Sequence, residues 1–185
     1  MVELSLDKSL NFVSNNTVYI HGIFDESISK NVIDALNVLV QIESNKKHGK
    51  IVVDINSDGG TSYFLKNLLS IFEFAKKSGV IIETRALARA FSCASILASS
   101  GTKGHRFIGE HTEHLCHLGK PAYHYINNDI EIDRQALRSK SHFDFVRSCY
   151  KKYAKIPNLE KVIHNDLLFV HGQKIIDWGL ADKFY

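Results

Sequence analysis

The chain has 185 residues, 44% hydrophobic and 23% charged, a composition that suits one globular domain with a core large enough to need no staples. Lys plus Arg number 23 and Asp plus Glu 20, a net charge of +3, and without a clustered basic patch this surplus does not point to nucleic acid. No run of 18 apolar residues is present to cross a membrane, and the first eight residues lack a signal-peptide pattern. Cys93, Cys116 and Cys149 are too few and too scattered for a disulfide framework, which favours a reducing, cytoplasmic setting.

Along the chain, 18–22 reads as a short strand stopped by Gly22. A helix follows over 27–43, with Ile28, Val32, Ile33, Leu36, Leu39 and Val40 at helical spacing. The apolar run 50–56 predicts a strand buried on both faces, as in parallel sheets, and Ser57, Asp58, Gly59 and Gly60 predict a loop. A helix over 63–77 ends at Gly79, a strand starts at Val80, and 92–100 reads as a helix of small residues closed by Gly101. Short strands are expected over 105–109 and 113–117, a break near Gly119 to Pro121, a long helix over 129–155 and a last helix over 172–178. This alternation argues for an α/β fold with a largely parallel sheet.

In such sheets, reactive groups sit beyond the carboxyl ends of strands, where the next helices begin. Two segments stand there. The Gly59–Gly60 pair exposes backbone N–H groups before a helix, although a glycine pair alone is more often a turn. Ser92 opens the small-residue helix, either as its N-cap or as a nucleophile whose oxyanion the Cys93 N–H stabilises. A serine needs a base, and four of the ten histidines lie between His105 and His117. His111, His114, Cys116 and His117 also invite a metal reading. Strand alternation sends His114 and Cys116 to one face and His117 to the other, so no metal site is expected.

Taken in order, N-S-D-G-G at 56–60, F-S-C-A-S at 91–95, G-T-K-G-H-R-F at 101–107 and L-C-H at 115–117 resemble the Clp protease proteolytic subunit. That family carries N-S-P-G-G, A-S-M-G-S, G-A-K-G-K-R-F and M-I-H. D-I-E-I at 129–132 resembles the start of the family's handle helix, and W-G-L-A-D at 178–182 its closing Y-G-L-V-D. The resemblance spans 18–182, with 25 residues from Ser92 to His117. It implies a crotonase-like fold of repeated ββα units in a single domain, its head formed by about 18–128 and 156–185 and its handle helix by about 129–155.

It further implies a serine peptidase acting on unfolded or short polypeptides. Ser92 would be the nucleophile, His117 the general base, Asp166 the orienting acid, and Gly60 and Cys93 the backbone oxyanion-hole donors, with no cofactor. The expected assembly is a homo-oligomeric ring, a heptamer or stacked double heptamer, served by an unfolding ATPase. The short segment before Val18 counts against that ATPase. Asp58 stands where the family has proline, and Asp166 lies one residue further from Gly179 than the family spacing, which would otherwise put Leu167 at the acid position. These departures motivate a second reading, a non-catalytic ring subunit or scaffold. A third is a crotonase-fold enzyme acting on an acyl thioester. A signal-peptide peptidase of the same broad fold would need a membrane anchor, and none is visible. Cys93 or Cys116 as a thiol nucleophile is the poorest alternative, because Cys116 and His117 diverge on a strand.

Overall fold

A computed structural model describes residues 13–119, 129–165 and 168–185. The elements in chain order are β1 (Val13–Ser14), β2 (Thr17–Phe24), α1 (Glu26–Ser44), β3 (Lys50–Gly60), α2 (Ser62–Lys77), β4 (Ile81–Phe91), α3 (Cys93–Ser99), β5 (Arg106–Ile108), β6 (Glu113–Leu115), α4 (Asp129–Tyr153), α5 (Leu159–Ile163), β7 (Phe169–His171), α6 (Gln173–Asp177) and β8 (Lys183–Phe184). The strands form one sheet in the order β1-β2-β3-β4-β5-β8, with β6 also on β4 and β7 on β6. β2, β3, β4, β5, β6 and β8 pair in parallel; β1 on β2 and β7 on β6 are antiparallel. This is the mixed α/β architecture, mostly parallel, that the alternating pattern predicts.

The core lies between this sheet and its helices. Val18, Ile20, Ile51, Val53, Ile55, Ile82 and Ala86 supply the strands; Leu36, Leu65, Leu68, Phe72 and Leu97 supply the helices. Local chemistry sets the helix ends. Thr61 caps α2 through its side chain, which accepts from the Phe64 N–H. At the other end Gly79 takes φ +80, its N–H bonds the Lys76 carbonyl at 3.1 Å and the Val80 N–H bonds the Ala75 carbonyl at 2.9 Å. That glycine-closed pattern satisfies carbonyls the helix itself leaves open.

Two expectations change in a way that matters for function. Residues 57–60 are not a loop but the end of β3, and β2 does not stop at Gly22 but runs on to Phe24; β4 in turn extends to Phe91. Glycine makes this possible. Gly22 does not stop β2; at φ +91 it forms a bulge where the β2–β3 register shifts. The Ser57 hydroxyl donates to the Gly22 carbonyl at that bulge and accepts the Gly59 N–H at 3.0 Å. Pairing therefore resumes beyond it, with Ile23 opposite Gly59 and Phe24 opposite Gly60. β4 forks: Thr84–Ala86 pair with β5, whereas Arg89–Phe91 pair with β6. The divergence opens the sheet around the residue that follows Phe91.

Arg106 locks the far side. It is 7% exposed and donates to both oxygens of Asp182 and to the carbonyls of Ser99, Tyr153 and Gly179. α3, the end of α4 and the C-terminal segment are thereby held by one guanidinium. Burial opposes ionisation of Asp182, but Arg106 outweighs it and holds the carboxyl below its usual range. α5, β7 and β8, which sequence periodicity does not reveal, complete this half of the molecule.

Candidate active site

Ser92 occupies the turn from β4 into α3 with φ +55 and ψ −123. A side chain in that region costs about 1–3 kcal/mol, so the surrounding contacts must hold it there. The Ser92 N–H is fixed by the Leu115 carbonyl of β6 at 2.8 Å, and its own carbonyl receives the N–H groups of Ser95 at 3.0 Å and Ile96 at 3.4 Å. The side chain makes no capping bond to α3. Ser92 stands at the N-cap position without capping through its hydroxyl, in a strained strand-to-helix turn at the wall of a cavity.

Gly59 presses against this turn, and Gly60 against Phe24 of β2. A Cβ on Gly59 would stand 2.6 Å from the Phe91 carbonyl oxygen and 2.9 Å from the Cys93 nitrogen; one on Gly60 would stand 2.4 Å from the Phe24 carbonyl oxygen. Only glycine allows the end of β3 to approach so closely at φ +88 and +145. The Cys93 thiol donates to the Gly60 carbonyl at 3.2 Å, tying the two segments. Asp58 does not stand alone beside them: Arg89 Nε lies 3.1 Å from its carboxylate, which balances its charge and braces the ends of β3 and β4.

His117 lies just beyond β6. A methyl-sized group on Gly119 would be 3.9 Å from Ser92 Oγ, 3.9 Å from His117 Nε2 and 3.8 Å from His142 Nε2. Three polar side-chain atoms thus converge on one point. They border a cavity of about 220 Å³ whose walls include Gly60, Cys93, Ile96 and Val146. The structure brings together four of the five sequence-derived residues: Ser92, His117, Gly60 and Cys93. Asp166 lies outside the described residues. On either side of it, β6 and β7 pair Leu115 with Phe169, while the Leu118 N–H bonds the Ile163 carbonyl at 2.8 Å. Between those anchors one strand has two residues, 116–117, and the other has five, 164–168.

His142 escapes a motif-based reading because it sits on α4, remote in sequence from the serine. Its signal is helical spacing: His142 precedes Val146, Cys149 and Tyr150 by four, seven and eight residues, on the face that α4 buries.

The thiols do not fit a nucleophile's role. Burial pushes Cys93 and Cys116 up to about 11, so neither offers useful thiolate at neutral pH. Cys116 instead faces the interior with His114, both touching Ser95 Oγ at 3.4 Å and 3.0 Å. As strand alternation predicts, that face is opposite His117.

A fold of this kind, opened at a serine turn beside a glycine-paired strand end, is that of the crotonase-like α/β proteins. The chain belongs to the Clp protease family, whose model matches residues 3–185. It is 26% identical over 185 residues to ATP-dependent Clp protease proteolytic subunit 2 of Streptomyces avermitilis, covering 98% of this chain and 88% of that protein. Over 181 residues it is 24% identical to proteolytic subunit 4 of Rhodococcus jostii, covering 97% and 89%. Against proteolytic subunit 2 of Chlamydia trachomatis serovar D the identity is 26% over 187 residues, covering 98% and 86%.

Proposed function

We propose that the protein is a serine endopeptidase, the proteolytic subunit of a Clp-type protease, cleaving unfolded or short polypeptides. The observation that carries this reading is the convergence of Ser92 Oγ and His117 Nε2 on one cavity, at a strained serine turn, with Gly60 and Cys93 in the cavity wall. Ser92 Oγ attacks the scissile carbonyl carbon while its proton passes to His117 Nε2. The carbonyl oxygen, now an oxyanion, accepts from the Gly60 and Cys93 N–H groups. His117 returns the proton to the leaving amine, the C–N bond breaks and an acyl-enzyme remains. Water, deprotonated by His117, attacks the ester carbon, and Ser92 recovers its proton as the acid product leaves. Asp166 orients His117.

The cavity of about 220 Å³ accommodates a single side chain rather than a folded surface, which suits an extended, unfolded substrate. The names of the relatives above, proteolytic subunits of ATP-dependent proteases, support an ATPase partner that supplies such chains. Exposed Ile132 and Leu137 on α4, 51% and 68% accessible, suit burial between copies in a homo-oligomeric ring, a heptamer or stacked double heptamer. In this reading 18–128 and 156–185 form the head, α4 is the handle and the setting is the cytoplasm. No helix among the described residues is long and apolar enough to cross a membrane.

The test is a fluorophosphonate probe on the assembled protein. Labelling at Ser92, absent in Ser92→Ala, is expected. No labelling, beside a serine peptidase that labels under the same conditions, would leave the scaffold reading in its place.

A further inference from the structure

We propose that His142 is a positioning residue of this site, acting on His117 through the backbone between them; the inference rests on the peptidase reading above. The His142 Nε2 atom lies 2.9 Å from the Leu118 carbonyl oxygen. A carbonyl oxygen only accepts, so Nε2 carries the hydrogen and donates it. Leu118 is the residue after His117, and its own N–H is taken by the Ile163 carbonyl at 2.8 Å. Both backbone polar groups of Leu118, which lie in the two successive peptide units flanking its Cα, are therefore fixed, one by α4 and one by the end of α5. Gly119 follows at φ +70, a conformation that gives the chain no stiffness of its own. With the carbonyl released, Leu118 would lose its link to α4 and keep its N–H bond to Ile163, next to the catalytic histidine.

The location of His142 on α4 adds to this. Residues 131–141 are exposed or half-exposed, whereas Val146, Cys149 and Tyr150 are buried in the core. His142 lies at the boundary and is the point where the emerging helix meets the catalytic segment. Its Nε2 stands with Ser92 Oγ and His117 Nε2 around the same site, all within 3.9 Å of one position. Seating of α4 is thereby coupled to alignment of the nucleophile and base, and the coupling passes through one hydrogen bond. A bond of this kind acts on the reacting geometry rather than on substrate affinity, because a base displaced by about 1 Å costs about 10²-fold in rate.

The experiment compares wild type, His142→Ala and His142→Gln in the assembled protein. It measures peptide hydrolysis and the hydrogen-exchange rate of the Leu118 amide, the latter needing no activity; thermal unfolding checks each variant's fold. Gln is chosen because its amide nitrogen reaches the position of Nε2. The expected result for His142→Ala is a kcat lower by about 10²-fold with KM little changed, and Leu118 exchange faster by about tenfold. His142→Gln should restore both to within a few-fold of wild type. Wild-type kcat and exchange in His142→Ala would overturn the tether. So would an equal loss in Ala and Gln variants, which would mean that the imidazole's shape and not its N–H matters. If wild type itself fails to hydrolyse peptides, the peptidase reading falls, and the Leu118 exchange rates still decide the tether separately.

Discussion

The molecule contains two serine–histidine pairs within one turn of α3 and three residues of chain, and they have opposite fates. Ser95 Oγ lies 3.0 Å from His114 Nδ1, hydrogen-bonded, with Cys116 and Tyr150 beside them, and every member of this cluster is at most 1% exposed. Ser92 and His117, by contrast, border an open cavity beside the end of β3. The buried pair has the serine–histidine contact of a dyad. It has no access for a substrate, no neighbouring glycine-cleared N–H groups and an ordinary helical serine. What sets the Ser92 site apart is thus the strained turn and the Gly59 packed against it, not the mere presence of a serine beside a histidine.

The largest effect follows from this contrast. Ser92→Ala should lower peptide hydrolysis by about 10⁴-fold or more and abolish fluorophosphonate labelling. Ser95→Ala should keep Ser92 labelled but lose about 1–3 kcal/mol of stability, because His114 Nδ1 is left buried without a partner. Labelling lost equally in both would dissolve the distinction between the two pairs. Next in size is Gly59→Ala. Its Cβ would be driven into the Phe91 carbonyl and the Cys93 nitrogen at φ +88, so a loss of about 2 kcal/mol or more is expected, with labelling falling because the turn itself is pushed. Denaturant unfolding and probe kinetics on one preparation separate the two effects.

A smaller effect belongs to the buried pair. Burial pushes the His114 pKa down from 6.5 to about 3. Between those values the unfolded chain binds a proton that the folded chain refuses, so stability is complete above pH 6.5 and falls as the pH drops toward 3. The expected slope in that window is at most about 1.4 kcal/mol per pH unit. His114→Gln should flatten it, measured by urea unfolding at pH 7 and pH 5. An unchanged slope would mean that other groups dominate the acid response.

Much of this architecture is legible in the sequence, and the failures have a common origin. The helices announce themselves through Val32, Leu36 and Val40 in α1 or Leu65, Leu68 and Phe72 in α2, since periodic burial is local information. Ser57 to Gly60 read as a loop because glycine and aspartate usually break strands. Here glycine at positive φ lets β3 and its partner continue past a bulge, and only the Ser57–Gly22 bond and the partner strand reveal that. Arg89 to Phe91 likewise lack an apolar run, yet they pair with β6. Ser92 and His117 are found through motif order, but the strain at Ser92 is a tertiary fact: it exists because Gly59 and Leu115 leave the turn no other path. His142 is invisible to motif reading, since a helix returning from elsewhere in the chain delivers it. Asp166 lies outside the described residues, and spacing alone does not fix its register.

The smallest expected effect sharpens the comparison at the residue that touches both regions. In the proposed mechanism Cys93 gives the open site its backbone N–H, while its thiol bonds the Gly60 carbonyl and is buried. With burial pushing it up to about 11, only about one thiol in 10³ or fewer is ionised near pH 7.5. Iodoacetamide should therefore leave Cys93, Cys116 and Cys149 unmodified in the native protein and modify all three after unfolding, read by mass spectrometry. Cys93→Ala keeps the N–H and removes one thiol-to-carbonyl bond, so hydrolysis should fall by no more than about tenfold, the scale of one neutral hydrogen bond. A collapse equal to that of Ser92→Ala would transfer the nucleophile's role to sulfur. A modest decline would separate the two functions of this residue, with the backbone serving the oxyanion and the side chain only holding Gly60 in place.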